Sequence, residues 1–118
     1  MSYDTNNIFA RILRKEIPSR FIYEDEFAVA FNDINPKAPV HVLVIPRGAY
    51  TDYTDFIKRA TRDEIDGFMR AIAHVAEQLH VTESGYRVIF NAGPDSGQEV
   101  PHLHAHILAG KKLGVDLG

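Results

Sequence analysis

The chain has 118 residues, of which 45% are hydrophobic and 25% charged, with a formal charge of −3 and no cysteine. That size and balance describe one globular domain, 1–118, built on a single core. The absence of cysteine excludes disulfides, thiolate catalysis and zinc–cysteine sites, and the acidic balance speaks against a non-specific nucleic-acid binder.

Residues 1–7 are polar and read as a loose, flexible arm without the apolar stretch of a signal peptide. No later apolar run approaches the ~20 residues that span a bilayer. The expectation is a soluble, cytoplasmic protein with no membrane or nucleic-acid partner. Asn6 or Asn7 can cap a short helix whose apolar face is Ile8, Phe9, Ile12 and Leu13, with Pro18 as its stop. Phe21 to Glu24 reads as extended, Asp25-Glu26 as a turn, and Phe27 to Asn32 as a strand with Phe27, Val29 and Phe31 on one face. Asn35, Pro36 and Pro39 mark a loop. His41 to Ile45 is a β-branched strand closed by Pro46-Arg47-Gly48. The segment 46–61 carries no clear pattern.

Thr61-Arg62-Asp63-Glu64 has the spacing of a capping box. Ile65, Phe68, Met69, Ile72, Val75, Ala76 and Leu79 follow at helical intervals, which predicts one long helix over 62–80. His74 and His80 fall on its outer side and receive no role. Tyr86 to Phe90 reads as a strand, Asn91 to Gly97 as a turn, and Val100 to Leu108 as the last strand. Strands with few helices imply an α+β fold, with a mainly antiparallel sheet of about five strands, one long helix and one short one.

Three of the six histidines, His102, His104 and His106, alternate in the predicted last strand. Alternation puts their rings on one face and Leu103, Ala105 and Ile107 on the core side. Two chemistries suit such a row. Imidazoles bind zinc, and His41 could complete a site from a neighbouring strand, but the ladder stretches over roughly 13 Å, too far for one ion to take all three rings. Alternatively, a neutral imidazole attacks phosphorus and splits a difficult transfer into two steps, while the flanking rings donate to oxygens or to a leaving group. The preceding turn suits the second chemistry: Gly93, Ser96 and Gly97 permit close approach of an anion, and Asn91 supplies an amide at a strand end.

The stretch Pro101-His102-Leu103-His104-Ala105-His106-Ile107-Leu108 resembles the histidine-triad motif of the HIT family, H-x-H-x-H followed by two apolar residues. The resemblance continues through Asn7-Ile8-Phe9-Ala10-Arg11-Ile12, Glu16-Ile17-Pro18, the segment from Ala30 to Pro39 that contains Asp33-Ile34-Asn35-Pro36, His41-Val42-Leu43-Val44-Ile45-Pro46, Gly85-Tyr86-Arg87, Asn91 and Gly97-Gln98-Glu99-Val100. It covers nearly the whole chain and is closest to the Hint branch, the purine nucleoside phosphoramidases.

The resemblance implies a HIT-like fold and a homodimer whose sheets join. It makes His104 the residue that becomes transiently nucleotidylated, with His41, His102 and His106 in support. Asp33 would hold the ribose hydroxyls and Ile34 would pack by the sugar and base. Phe9, Ile12, Ile17, Phe31 and Leu43 match positions around the purine; Asn91, Gly97, Gln98 and Glu99 match positions around the phosphate. A carboxylate repels a phosphate, which assigns any contact by Glu99 to its backbone N–H. The implied activity is hydrolysis of purine nucleoside 5′-phosphoramidates or related adenylates to the monophosphate. No metal ligand is assigned and no cofactor is required, zinc at the histidines being adventitious. A Fhit-like dinucleoside polyphosphate hydrolase, a purine nucleotide sensor or interaction module, and a zinc-binding protein remain as alternatives.

Overall fold

A computed structural model describes residues 2–116. The element order is α1 (Ile8–Leu13), β1 (Tyr23–Glu24), β2 (Ala28–Asn32), β3 (Val40–Pro46), α2 (Tyr53–Arg59), α3 (Arg62–Gln78), β4 (Arg87–Phe90), a 3-10 turn (Pro94–Ser96) and β5 (Ala105–Ala109). The five strands form one sheet in the order β1-β2-β3-β5-β4, with every neighbouring pair antiparallel. Among the described residues, no helix is long and apolar enough to cross a membrane.

The sheet register sorts side chains into two layers. Ala30, Val44 and Ala105 align across the sheet, and Val42 aligns with Ile107; these residues bury against Phe68, Ala71, Ile72 and Val75 of α3. Phe31, Leu43, His106 and Ile89 form the adjacent row, which faces the other way because side chains alternate along a strand. On that side Phe9 and Ile12 of α1 cover Val29, Phe31, Leu43 and Ile45. The long helix thus closes one face of the sheet, while the short first helix closes only part of the other and leaves an opening beside His41 and His106.

The capping box at Thr61 is present, each partner bonding at 3.1 Å. The helix after it stops at Gln78, short of residue 80, and His80 lies in the left-handed region. Gly67 sits where α3 crosses Phe27, and a Cβ there would meet the Phe27 ring at 2.2 Å. Segment 46–61 contains a third helix, beyond the two expected. Asp52 caps it, and its one buried residue, Phe56, stacks edge-on against Tyr50 and Phe68.

Two further expectations are corrected. The last strand begins at Ala105 rather than at residue 100, because the Leu103 N–H donates to the Tyr50 carbonyl at 2.8 Å instead of extending the ladder. The loose arm over 1–7 is tied down from Tyr3 onward; Met1 lies outside the described residues. Asn7 is buried, its side chain accepts from the Ala10 N–H and donates to the Asp4 carbonyl, and the Tyr3 hydroxyl lies 2.6 Å from His102 Nδ1.

Candidate functional site

Beside α1 the sheet opens into a cavity of about 470 Å³. Of the predicted residues, Phe9, Asp33, His41, Leu43, Asn91, Gly97, Gln98, Glu99, His104 and His106 line it. Ile12 and Phe31 are buried behind Phe9 and Leu43, with Ile17 packed against them, so they shape the apolar wall without forming its surface. Ile34 is 89% exposed and is not part of the wall. His102 does not face the cavity either; it is fully buried beneath it. Alternation nonetheless continues ahead of the strand: His104 and His106 line the cavity, Leu103, Ala105 and Ile107 bury in the core beneath α3, and Phe9 meets both the His102 and the His104 ring edge-on. Asn35, Lys37, Ile89, Val100 and Leu108 complete the lining, and of these only the alternation of the strands pointed to Ile89 and Leu108.

The hydrogen bonds assign each ring its proton. His104 Nδ1 lies 2.8 Å from the His102 carbonyl, an acceptor only, so Nδ1 carries the proton and Nε2 keeps a bare lone pair. His102 Nε2 donates to the Pro46 carbonyl at 2.9 Å, which leaves its Nδ1 to accept from the Tyr3 hydroxyl. The Lys37 N–H donates to His41 Nδ1 at 3.0 Å, so the His41 proton is on Nε2. That nitrogen stands 2.9 Å from His106 Nδ1 and 3.5 Å from Asp33 Oδ2. His106 Nδ1 accepts, and the His106 proton is on Nε2.

Burial holds all four rings neutral. It pushes His102 down to about 4 and His106 down to about 4, the latter helped by its neighbours His104 and His41. His104 and His41 are lowered by the same desolvation, partly opposed by the charge of Asp33.

The glycine-rich loop is braced from within. Gly93 and Gly97 both have left-handed backbones, which favour glycine. The Gly97 N–H donates to Pro94, the Ser96 N–H and hydroxyl to Gly93, and the Gly93 N–H to Gln98 Oε1. The Gln98 amide nitrogen donates to the Thr51 and Val100 carbonyls at 2.8 and 3.0 Å. The N–H groups of Gly93, Ser96 and Gly97, the residues expected to let an anion approach, are thus engaged inside the loop, and the Gln98 side chain is a brace rather than a free ligand.

Asp33, His41 and His106 bring one ligand atom each within 4.8 Å of one another, the geometry of a candidate metal cluster. Zinc with Zn–N bonds of about 2.0–2.1 Å sets tetrahedral ligand atoms about 3.3 Å apart. The 2.9 Å between His41 and His106 is a hydrogen bond and must open, with loss of the His41 proton, before an ion enters.

A five-stranded antiparallel sheet with a buried, tautomer-locked set of histidines around one cavity defines a small histidine-triad protein. The HIT domain model matches residues 14–113, and the chain belongs to that family. It is 57% identical to a 13.2 kDa HIT-like protein of Azospirillum brasilense over 96% of this chain and 93% of that one. It is 40% identical to the purine nucleoside phosphoramidase of Escherichia coli, over 91% of this chain and 89% of that one. A histidine triad protein from Clostridium difficile superimposes with a TM-score of 0.85 at 44% identity, over 96% of this chain and 97% of the other.

Proposed function

We propose that the chain hydrolyses purine nucleoside 5′-phosphoramidates, or related adenylates, through a nucleotidyl intermediate on His104. The observation that carries this is the bare Nε2 of His104 in the cavity wall, its opposite nitrogen locked to the His102 carbonyl. The similarity to the E. coli phosphoramidase supports the substrate class.

In the first step the His104 Nε2 lone pair forms a bond to the α-phosphorus, and the bond from phosphorus to the departing amine breaks. The amine takes a proton from His106 Nε2–H, and solvent replaces it, so that His106 and His41 both end the step as neutral imidazoles with the His41 Nε2–H still donated to His106 Nδ1. The ring of His104 becomes cationic, and the His102 carbonyl accepting its Nδ1–H stabilises that charge. In the second step water attacks phosphorus and gives up a proton to solvent, and the P–N bond to His104 breaks, returning its electron pair to Nε2 and releasing the nucleoside monophosphate. The Asn35 N–H bond that orients Asp33 and the position of Asp33 in the cavity wall support its receiving the ribose hydroxyls, and Phe9 and Leu43 offer an apolar wall to the base. The chemistry calls on no metal.

The same reading includes a homodimer joined through β4, an edge strand whose Val88 is 38% exposed. Single-turnover incubation with adenosine 5′-phosphoramidate in chelator tests the activity. AMP release by the unaltered chain and none by His104→Ala is the expected result. Nucleotide binding without release by the unaltered chain would sink it in favour of a sensor.

A further inference from the structure

Residues 101–104 carry two of the triad histidines yet lie outside the sheet ladder, which starts at Ala105. Something other than strand pairing must hold the His102 carbonyl against His104. One tether is the Leu103 N–H bond to Tyr50. The others run through the His102 ring, which is fully buried and pinned at both nitrogens: Nε2–H to the Pro46 carbonyl at 2.9 Å, and Nδ1 to the Tyr3 hydroxyl at 2.6 Å. Because Nε2 must donate to a carbonyl, Nδ1 is an acceptor and Tyr3 must be the donor. The two rings also meet edge to face, with centroids 5.7 Å apart. Tyr3 lies ahead of residues 14–113, the part that matches the family model.

We propose that Tyr3 is a positioning residue for the reaction at His104: its hydroxyl holds His102 in the Nε2–H tautomer and thereby fixes the carbonyl that orients His104 Nδ1–H. The proposal rests on the hydrolase reading above. The alignment of His104 then depends on a chain of three bonds, from Tyr3 to the His102 ring, from that ring to Pro46, and from the His102 carbonyl to His104. Burial raises the Tyr3 phenol, which keeps it a donor throughout the neutral range.

The test compares Tyr3→Phe and Tyr3→Ala with the unaltered chain. Phenylalanine keeps the edge-to-face ring and removes only the hydroxyl, so a merely structural role leaves Tyr3→Phe like the unaltered chain and impairs only Tyr3→Ala. Positioning instead predicts that Tyr3→Phe already lowers the single-turnover nucleotidylation rate about tenfold, the worth of one buried hydrogen bond, with KM for adenosine 5′-phosphoramidate unchanged. Two-bond proton–nitrogen NMR spectra supply a readout independent of turnover: His102 Nδ1 should move to the shift of an unbonded imine nitrogen in Tyr3→Phe. A rate and an Nδ1 shift both unchanged in Tyr3→Phe, beside an active unaltered chain, overturn the Tyr3 proposal alone. An inactive unaltered chain overturns the hydrolase reading and, with it, Tyr3 as a reaction residue, whatever the nitrogen spectrum reports.

Discussion

The Nδ1–H of His104 donates to the backbone carbonyl of His102, two residues earlier, across 2.8 Å. A nucleophilic ring thus takes its orientation from its own chain, with no carboxylate on Nδ1 to raise its basicity. Burial is the main influence on its titration and lowers it from the ordinary histidine value of 6.5. The neutral form is the reactive one, and it persists as the pH falls to 6.5 and below. Single-turnover rates should therefore fall on the acid side with unit slope and with a midpoint below the ordinary histidine value of 6.5. An acid limb centred at or above 6.5 contradicts the assignment of His104.

His41 reaches the reaction only through His106. Its Nδ1 is occupied by the Lys37 N–H, so its single proton points at His106 Nδ1 and Asp33. Replacing His41 by alanine frees His106 to place its proton on either nitrogen, so that Nε2–H no longer faces the leaving amine in every molecule. His41→Ala should lower kcat about 10- to 100-fold with little change in KM, measured at steady state. An equal loss in KM alone would instead make His41 a binding residue.

Most of this fold could be read from periodicity, because each layer repeats its signal. The long helix shows six buried positions at helical intervals and a capping box, and the strands β2 and β3 are buried on both faces and stand out as apolar runs. Helix α2 was illegible because seven residues with one buried side chain make no periodic pattern; only Asp52 as a cap hinted at it. The site shows the same division. His104 and His106 were visible as a cluster of a rare residue. The burial of His102 was not, because the Tyr3 hydroxyl that meets its ring comes from the other end of the chain. Tyr3 was hidden for a related reason: a polar arm looks loose until the fold provides a buried acceptor for its hydroxyl.

The Gln98 side chain makes three hydrogen bonds that join the 93–97 loop to residues 51 and 100. Gln98→Ala should loosen the loop and raise KM severalfold while kcat changes less. Gln98→Glu retains the acceptor for the Gly93 N–H but turns an oxygen toward the Thr51 and Val100 carbonyls, and should raise KM further. Steady-state kinetics on both variants check this, and a Gln98→Ala that lowers kcat more than it raises KM would instead indicate direct contact between the Gln98 amide and the reacting phosphate.

A zinc ion at Asp33, His41 and His106 competes with the His41–His106 hydrogen bond, and with it the proposed proton route. Turnover should be unchanged after dialysis against chelator and should fall on titration with zinc, recovering when chelator is restored. His41→Ala should weaken the zinc inhibition by removing a ligand. Loss of activity in chelator that zinc restores would overturn the metal-free route.

Stability should depend on pH through the buried rings. His102 is 0% exposed and is pushed by burial to about 4 from 6.5. Between those values the unfolded chain binds a proton there and the folded chain does not, so stability rises with pH across the window and is lost as pH falls. From pH 7 to 5 the loss from His102 alone is about 2 kcal/mol, and His106, lowered in the same direction, adds to it. The best-paired carboxylate, Asp55, is held down to about 2 by Arg59, and its contribution fades only below the ordinary aspartate value of 3.8. The two regimes are therefore separable by urea unfolding at intervals of pH. His102→Asn, which offers an amide donor to Pro46 and does not titrate, should lose stability at pH 7 and show a shallower slope between 7 and 5. A slope equal to that of the unaltered chain would assign the pH dependence to other groups and contradict a neutral, buried His102.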